Sequence, residues 1–175
     1  YRAVTLNALE NGRISEDGTI DEESLREELK TLDVNFRNSG DDSATFIGER
    51  CVEEEIRTLK VSGHVSPIST IPFVRQYVDA RLHAYGERGG IVMDGRDIGT
   101  TVFPNADVKI FKTASTEVRA RRRYNEMVSK GLETTIEEVT KNLLERDYID
   151  SHRETSPLSR AADAFVMDNS DMTLH

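Results

Sequence analysis

Two carboxylates and one guanidinium follow a short apolar run in the segment MDGRDIGTTVFP, residues 93–104. Asp94, Arg96 and Asp97 lie at the end of GGIVMD (89–94), whose composition is typical of a buried parallel strand. Ligands of open α/β sheets bind beyond the carboxyl ends of the strands, so this position favours a binding site. The alternative is a charged surface turn in which Arg96 neutralises its sequence neighbours, and the pattern alone leaves both open.

A second charged group lies in LLERDYIDSHRETSPL, where Arg146, Asp150 and Arg153 are spaced i, i+4, i+7. At about 100° per residue, this spacing predicts that all three share one helix face. The alternative is a surface ion-pair ladder that contributes only a few tenths of a kcal/mol. The segment VRARRRYNEM adds a cluster of guanidinium groups, which suits polyphosphate because arginine binds phosphate oxygens bidentately. The cluster consists of Arg119, Arg121, Arg122 and Arg123. The alternative, a solvated helix face, holds for some of them, and we expect Arg119 and Arg121 to be bystanders.

The segment SPISTIPFVRQ places Ser66 and Arg75 on either side of a helix start predicted at Pro72. A serine hydroxyl and an arginine near a helix N-terminus could orient a polar, planar ligand. The alternative is a capping serine and a surface arginine.

Composition limits the classes of function. The chain has 175 residues, enough for one domain with its own core. Its formal net charge of −9 disfavours binding to a nucleic acid polymer or an anionic membrane. The single cysteine, Cys51, cannot form an internal disulfide, and we expect it to be a small core side chain. No apolar run is long enough to cross a bilayer, so we expect a cytoplasmic protein.

Strands and helices are predicted to alternate in the second half of the chain. Three apolar segments are predicted to be buried parallel strands: GGIVMD, ADVKIF (106–111) and AFVMD (164–168). Strands that alternate with helices in this way predict an α/β fold. The first half reads as helices with a small antiparallel insert that has strand-like stretches at 33–37 and 43–52. The predicted helices cover 2–9, 21–33, 52–63, 71–88, 116–130 and 136–150.

Five segments carry a family resemblance: YRAVTL, the Ser66–Arg75 stretch, GIVMDGRDIGTTVFPNADVKIFKTAS, the RRRY helix and RDYIDSHRETSPL. Together they strongly resemble bacterial cytidylate kinases, enzymes that phosphorylate CMP. The resemblance implies one P-loop nucleoside monophosphate kinase domain over 1–175, with a parallel-sheet core flanked by helices. It implies a small antiparallel nucleotide-binding insert at 33–60 and a helical lid at 122–157. ATP is the implied phosphoryl donor, Mg²⁺ the cofactor, and CMP and dCMP the acceptors, and we expect a monomer.

The resemblance also implies a role for each charged residue. Asp97, Arg75 and Ser66 resemble the residues that read cytosine, and Asp94 resembles an acid that holds Mg²⁺ through water. Arg2 and Arg153 resemble holders of the CMP phosphate, and Asp150 an acceptor from a ribose hydroxyl. We therefore expect Arg153→Ala to impair turnover more than stability, since its implied partners are present only with bound nucleotide. The implied catalytic residues are Arg96, Arg122, Arg123, Arg146 and Arg153.

One family feature is missing: the sequence contains no G-x-x-x-x-G-K-[ST] loop, whose amides and lysine cradle the ATP phosphates. One interpretation is a shortened chain that is inactive by itself, and we favour it. The first strand of the sheet would then also be missing, and its apolar neighbours exposed. The other is a non-catalytic, pseudokinase-like module that binds a pyrimidine nucleotide.

Overall fold

The computed structural model describes residues 1–39 and 42–172. Residues 40–41, within the predicted insert, and 173–175, at the end of the predicted domain, lie outside the described residues. The chain divides after Tyr85 into two compact units. Helices combine with a parallel and an antiparallel sheet, so the predicted α/β class is confirmed.

The first unit is mainly helical. Asp21 caps its second helix, because its carboxylate accepts a hydrogen bond from the Ser24 amide at 3.1 Å. Hydrogen bonds from Ser24 hold the pKa of Asp21 below its usual value. Pro72 opens the fourth helix, as predicted, at a position where no amide hydrogen is needed. The helices are α1 (Arg2–Glu10), α2 (Glu22–Leu29), α3 (Leu59–Thr70) and α4 (Pro72–Gly86), the last ending at the boundary between the units.

Two predicted helices begin or end elsewhere. The second helix stops at Leu29 instead of reaching position 33, because the Lys30 and Thr31 amides bond to carbonyls three residues back. Hydrogen bonds of this 3₁₀ type tighten the last turn and are typical of a helix end. The helix predicted over 52–63 is a 3₁₀ turn, Glu55–Arg57, followed by α3. The α3 helix starts after Thr58, whose hydroxyl accepts from the Val61 amide.

An antiparallel sheet of three strands occupies part of the predicted insert. Its strands are β1 (Val34–Ser39), β2 (Asp42–Ile47) and β3 (Arg50–Cys51), in the order β1-β2-β3. The antiparallel pairing predicted from the sequence is thereby confirmed. The prediction that Cys51 is a core side chain is wrong, because it is exposed on the short edge strand β3.

The core of the first unit consists of two apolar clusters. Leu25 and Ile68 are completely buried in one, and Val52 is completely buried in the other. Helix α1 contributes apolar side chains to both clusters. Burial of a leucine or isoleucine side chain stabilises the fold by roughly 1.5–3 kcal/mol, so these clusters fix α1 against α2 and α3.

The described part of the second unit, residues 86–172, contains two strands, two helices and one π-helical turn. The strands pair in parallel, with Ile110 opposite Phe165. Thr135 and Glu138 form the predicted capping box at the start of the second helix. Among residues 1–39 and 42–172, no helix has both the length and the apolar character needed to cross a membrane. The elements are the π turn (Ile98–Val102), β4 (Ile110–Thr113), α5 (Thr116–Ser129), α6 (Ile136–His152) and β5 (Phe165–Asp168).

The strand predicted over 89–94 is wrong. Gly89 and Gly90 have φ values of +66° and +62°, which lie outside the extended region. Across the described chain, no strand pairs with the residues that follow, and Val92 is 100% exposed. Apolar composition signals burial, but extended backbone becomes a strand only when a neighbour satisfies its amides and carbonyls.

The two other predicted strands are present but shifted or more exposed than expected. The β4 strand covers 110–113 rather than 106–111, whereas β5 closely matches the predicted 164–168. The expectation of a buried sheet is wrong here, since Phe165 is 72% exposed. In the described residues this sheet has two strands, so each of them is an edge strand with one hydrogen-bonded neighbour.

Replacement of Leu25 by alanine should lower the free energy of unfolding by about 2–5 kcal/mol, because the lost side chain leaves a cavity in a fully buried position. Chemical denaturation measures this change. Leu59→Ala is the matched control, since Leu59 is 46% exposed, and it should cost less than about 1 kcal/mol. Equal losses in the two variants would contradict the assignment of this core.

Candidate functional site

The backbone at Asp97 is fixed by the π-helical turn that begins directly after it. The Asp97 carbonyl accepts hydrogen bonds from the amides of Thr101 and Val102, at 2.9 and 3.2 Å. Bonds that span five residues are rare in proteins and frequently occur at functional sites. The turn therefore sets the position from which the Asp97 side chain extends.

Glycines that precede Asp97 permit close packing of this part of the chain. A methyl group on Gly95 would lie 2.7 Å from Ile98 Cγ1, and one on Gly86 would overlap the Phe103 ring. Side chains do not fit at such distances without displacing a neighbour. The glycines thus allow the Ile98 and Phe103 side chains to pack directly on the backbone.

Four charged side chains of the second unit form one network. Asp97 Oδ1 lies 3.2 Å from Arg153 Nη2, and Asp150 Oδ2 lies 3.0 Å from Arg96 Nε. Arg153 Nη1 completes the network at 3.9 Å from Asp150 Oδ1. Asp97, Asp150 and Arg153 are buried, whereas the Arg96 side chain is 44% exposed. Buried charges of this kind persist only when each has an opposite charge and hydrogen bonds nearby.

The end of α6 positions two members of the network. Arg153 follows the last helical residue, and its Nε donates to the Ser156 carbonyl at 2.7 Å. The Leu158 amide donates to the Asp150 carbonyl, also at 2.7 Å. The chain after α6 therefore folds back over the helix end and helps to bury both side chains.

These contacts exclude the surface interpretations of the two charged segments. Arg96 binds Asp150, 54 positions away, instead of neutralising its sequence neighbours. Asp150 and Arg153 do not form part of an exposed ladder, because both are buried. The expectation that Arg153 finds partners only with bound nucleotide is also wrong, since two carboxylates already neighbour it.

The arginines of α5 have different environments. Arg119 pairs with Asp147 at 2.7 Å and so links α5 to α6. Arg122 donates to the carbonyls of Asn169 and Met172, at 2.6 and 2.8 Å, and so links α5 to the segment after β5. Contacts of these helices with a phosphoryl group stay predictions. The residues concerned are Arg122, which is exposed, and Arg123 and Arg146, which are half-buried.

Asp94, the predicted Mg²⁺ residue, has an exposed side chain. In the part of the chain that the structure describes, no group of three or more histidine, cysteine or acidic side chains is arranged to hold a metal ion. Mg²⁺ usually keeps several of its waters and needs only one or two carboxylates. A single exposed carboxylate therefore fits water-mediated binding, and this role stays a prediction.

In the first unit, Arg2 is held by two acceptors. Its Nη1 donates to the Ile56 carbonyl and to the Ser62 hydroxyl, both at 2.9 Å. Ser62 is buried, so the contact restricts the arginine to one orientation. The guanidinium group is thereby ordered before any ligand binds, so binding would cost it less conformational entropy than it would cost a free side chain.

Ser66 and Arg75, the other predicted residues of the first unit, are both buried. Ser66 lies within α3 rather than in a linker before α4. Ser69 joins the two residues, because its hydroxyl donates to the Ser66 carbonyl at 2.8 Å and its carbonyl accepts from Arg75 at 3.2 Å. The alternative of a surface arginine is therefore wrong for Arg75.

A stripe of serines along α3 escaped the sequence analysis. Ser62, Ser66 and Ser69 follow the spacing i, i+4, i+7, which places them on one helix face. All three are buried. Serines that recur on one face of a helix are a recognisable signal, and they could have identified the Arg2 partner.

Replacement of Arg153 by alanine should lower the free energy of unfolding by about 3 kcal/mol, because it removes the cation beside two buried carboxylates. Urea denaturation measures the loss. The control is Arg121→Ala, which removes an exposed arginine of the same unit and should change stability by less than about 0.5 kcal/mol. An unchanged free energy of unfolding in Arg153→Ala would rule out a stabilising role for the network.

Comparison with known proteins places the chain in one family. The family model for cytidylate kinase matches residues 1–175. Cytidylate kinases from Bacteroides thetaiotaomicron and Bacteroides fragilis are each 49% identical over 176 aligned positions, covering 99% of this chain and 76% of the relative. One from Porphyromonas gingivalis is 48% identical with the same coverage. With this agreement along its whole length, the chain belongs to the cytidylate kinase family.

Proposed function

We propose that the intact protein transfers the terminal phosphoryl group of ATP to CMP, and also to dCMP, giving the diphosphate and ADP. Membership of the cytidylate kinase family supports the reaction class. The observation that carries the proposal at the level of residues is the network Arg96–Asp150–Arg153–Asp97. It combines a buried, fixed set of charges with a guanidinium group that reaches solvent.

Arg96 is suited to bind a phosphoryl group in transfer. Asp150 fixes its Nε, while 44% of the side chain remains exposed, so the rest of the guanidinium can bind phosphate oxygens. Phosphoryl transfer requires mainly positioning and neutralisation of charge, and needs little covalent chemistry from the protein. A pre-positioned guanidinium supplies both. Arg122, Arg123, Arg146 and Arg153 are the further arginines that we assign to the phosphoryl group.

Asp97, Arg75 and Ser66 are our proposed readers of cytosine. The exocyclic amino group of cytosine would donate to the Asp97 carboxylate, and Arg75 would donate to the ring carbonyl and nitrogen. Asp97 is 5% exposed and is already paired with Arg153, so a base that lacks the amino donor would leave this desolvated carboxylate with one hydrogen-bond donor fewer than cytosine provides. Such a mismatch costs about 1–3 kcal/mol or more for a charged group, which favours CMP over UMP.

Arg2 and Arg153 are our proposed ligands of the CMP phosphate, and Asp150 is the proposed acceptor from a ribose hydroxyl. The contacts of Arg2 with Ile56 and Ser62 support this role, because they orient its guanidinium in advance. Asp94 would hold Mg²⁺ through water, and the ion would neutralise charge on the ATP phosphates.

Replacement of Asp97 by alanine should lower kcat/KM for CMP at least about tenfold and reduce the preference for CMP over UMP, because the acceptor for the amino group is lost. Steady-state kinetics with both nucleotides measures the change in the intact protein. Asp107→Ala, which removes an exposed carboxylate of the same unit, should leave the preference unchanged. An unaltered CMP preference in Asp97→Ala would refute the base-reading role.

A non-catalytic, pyrimidine-nucleotide-binding module is the second candidate, because residues 1–175 contain no G-x-x-x-x-G-K-[ST] loop. We propose instead that turnover requires such a loop outside these residues. The reading frame upstream of Tyr1 tests this directly: an in-frame loop supports the kinase, and its absence favours the binding module.

The two candidates also differ in activity. We expect residues 1–175 alone to form no ADP in the presence of CMP, ATP and Mg²⁺, because nothing in them cradles the ATP phosphates. The protein translated from the complete reading frame should form ADP in a CMP-dependent reaction, measured by a coupled assay. ADP formation by residues 1–175 would contradict the requirement for the loop.

A further inference from the structure

Lys109 has a largely covered side chain that the roles assigned above do not use. Its side chain is 8% exposed and pairs with Asp163 at 2.7 Å. Burial of an ammonium group is unfavourable unless it is paired and hydrogen-bonded. Lys109 lies in the apolar segment ADVKIF. A charged side chain covered in such a segment indicates a structural role, which a solvent-exposed lysine would not need.

The side chain of Lys109 contacts the turn that carries Asp97. Its Nζ donates to the Pro104 carbonyl at 2.5 Å. Its Cδ would lie only 3.3 Å from a methyl group placed on Gly99, in the middle of the π-helical turn. The lysine stem thus lies along one side of the turn while its ammonium group binds the carbonyl just beyond it.

The backbone of Lys109 is hydrogen-bonded to the sheet directly before β4 begins. Its carbonyl accepts a hydrogen bond from the Phe165 amide at 2.9 Å, next to the paired strands β4 and β5. Asp163, the carboxylate partner, lies just before β5. Lys109 therefore connects the sheet to the segment 98–104. Residues at the start of both strands hold Lys109 in place, through its own backbone next to β4 and through Asp163 and Phe165 at β5.

We propose that Lys109 is a positioning residue for recognition of the nucleobase. By holding the segment 98–104 against the sheet, it fixes the backbone of Asp97, whose carbonyl accepts the turn's amides. The proposal rests on the function proposed above, because Asp97 is the reader of cytosine in that assignment. Lys109 acts through the turn and touches no substrate.

The ammonium group of Lys109 and its aliphatic stem make different contacts, and variants can remove them separately. Lys109→Met retains most of the stem beside Gly99 but removes the ammonium group that binds Pro104 and Asp163. Asp163→Asn retains the shape of the partner and removes its charge, so it weakens the same contact from the other side. Lys112→Met, three residues along in β4, removes an exposed lysine and is the matched control.

The test measures kinetics and hydrogen exchange on the intact protein. Lys109→Met should raise KM for CMP about tenfold, equivalent to roughly 1.4 kcal/mol, and lower the preference for CMP over UMP, with KM for ATP changed less than about twofold. Asp163→Asn should show the same pattern with smaller changes. Exchange of the Thr101 and Val102 amides should become faster in both variants and stay unchanged in Lys112→Met.

Two outcomes overturn the proposal. In the first, the wild-type protein is active, and the Lys109→Met and Asp163→Asn variants both keep its KM for CMP and its preference for CMP over UMP. The second is a loss that affects CMP and ATP equally and follows only the fall in melting temperature, as expected for a purely structural residue. A wild-type protein without CMP-dependent activity defeats the proposed function as well, so the two failures are distinguishable.

Discussion

The candidate site depends on keeping buried charges in a neutralised arrangement. Asp97 and Asp150 are both buried next to Arg153, and Arg96 joins the network through Asp150. Removal of carboxylates and guanidiniums from water costs several kcal/mol per ion, and only close opposite charges and hydrogen bonds offset that cost. The π-helical turn and the end of α6 therefore have to lie in one fixed relation within the second unit.

This constraint gives several features a common physical basis. Glycines at 86, 95 and 99 allow side chains to pack directly on the segment that carries Asp97. The chain after α6 bonds back to the helix end through Ser156 and Leu158. Both features restrict backbone movement where the charges meet. A rigid scaffold suits phosphoryl transfer, in which the protein contributes mainly position and charge.

The sequence predicted elements that rest on local signals. The capping box at Thr135, the proline at the start of α4 and the antiparallel strands all appear as expected, because adjacent residues determine them. The i, i+4, i+7 spacing in α6 also identified Asp150 and Arg153 as a unit. The strand predicted over 89–94 was wrong because apolar composition does not reveal whether a pairing partner exists.

Long-range partners were beyond the reach of sequence patterns. Nothing in the spacing indicates that Asp97 meets Arg153, or that Lys109 of an apolar run binds Asp163 across the sheet. The family resemblance identified most of these residues individually without their mutual contacts. Lys109 had a usable signal, since a lone lysine within a predicted buried strand requires a partner.

The coupling energy between Asp97 and Arg153 is the most direct measure of the central interaction. A double-mutant cycle with Asp97→Asn and Arg153→Ala, followed by denaturation of all four proteins, isolates it from other effects. A buried ion pair of this kind, with 3.2 Å between Asp97 Oδ1 and Arg153 Nη2, should give a coupling of about 1.5–3 kcal/mol. Additive effects, within about 0.5 kcal/mol, would show that the two side chains do not stabilise each other and would contradict the account.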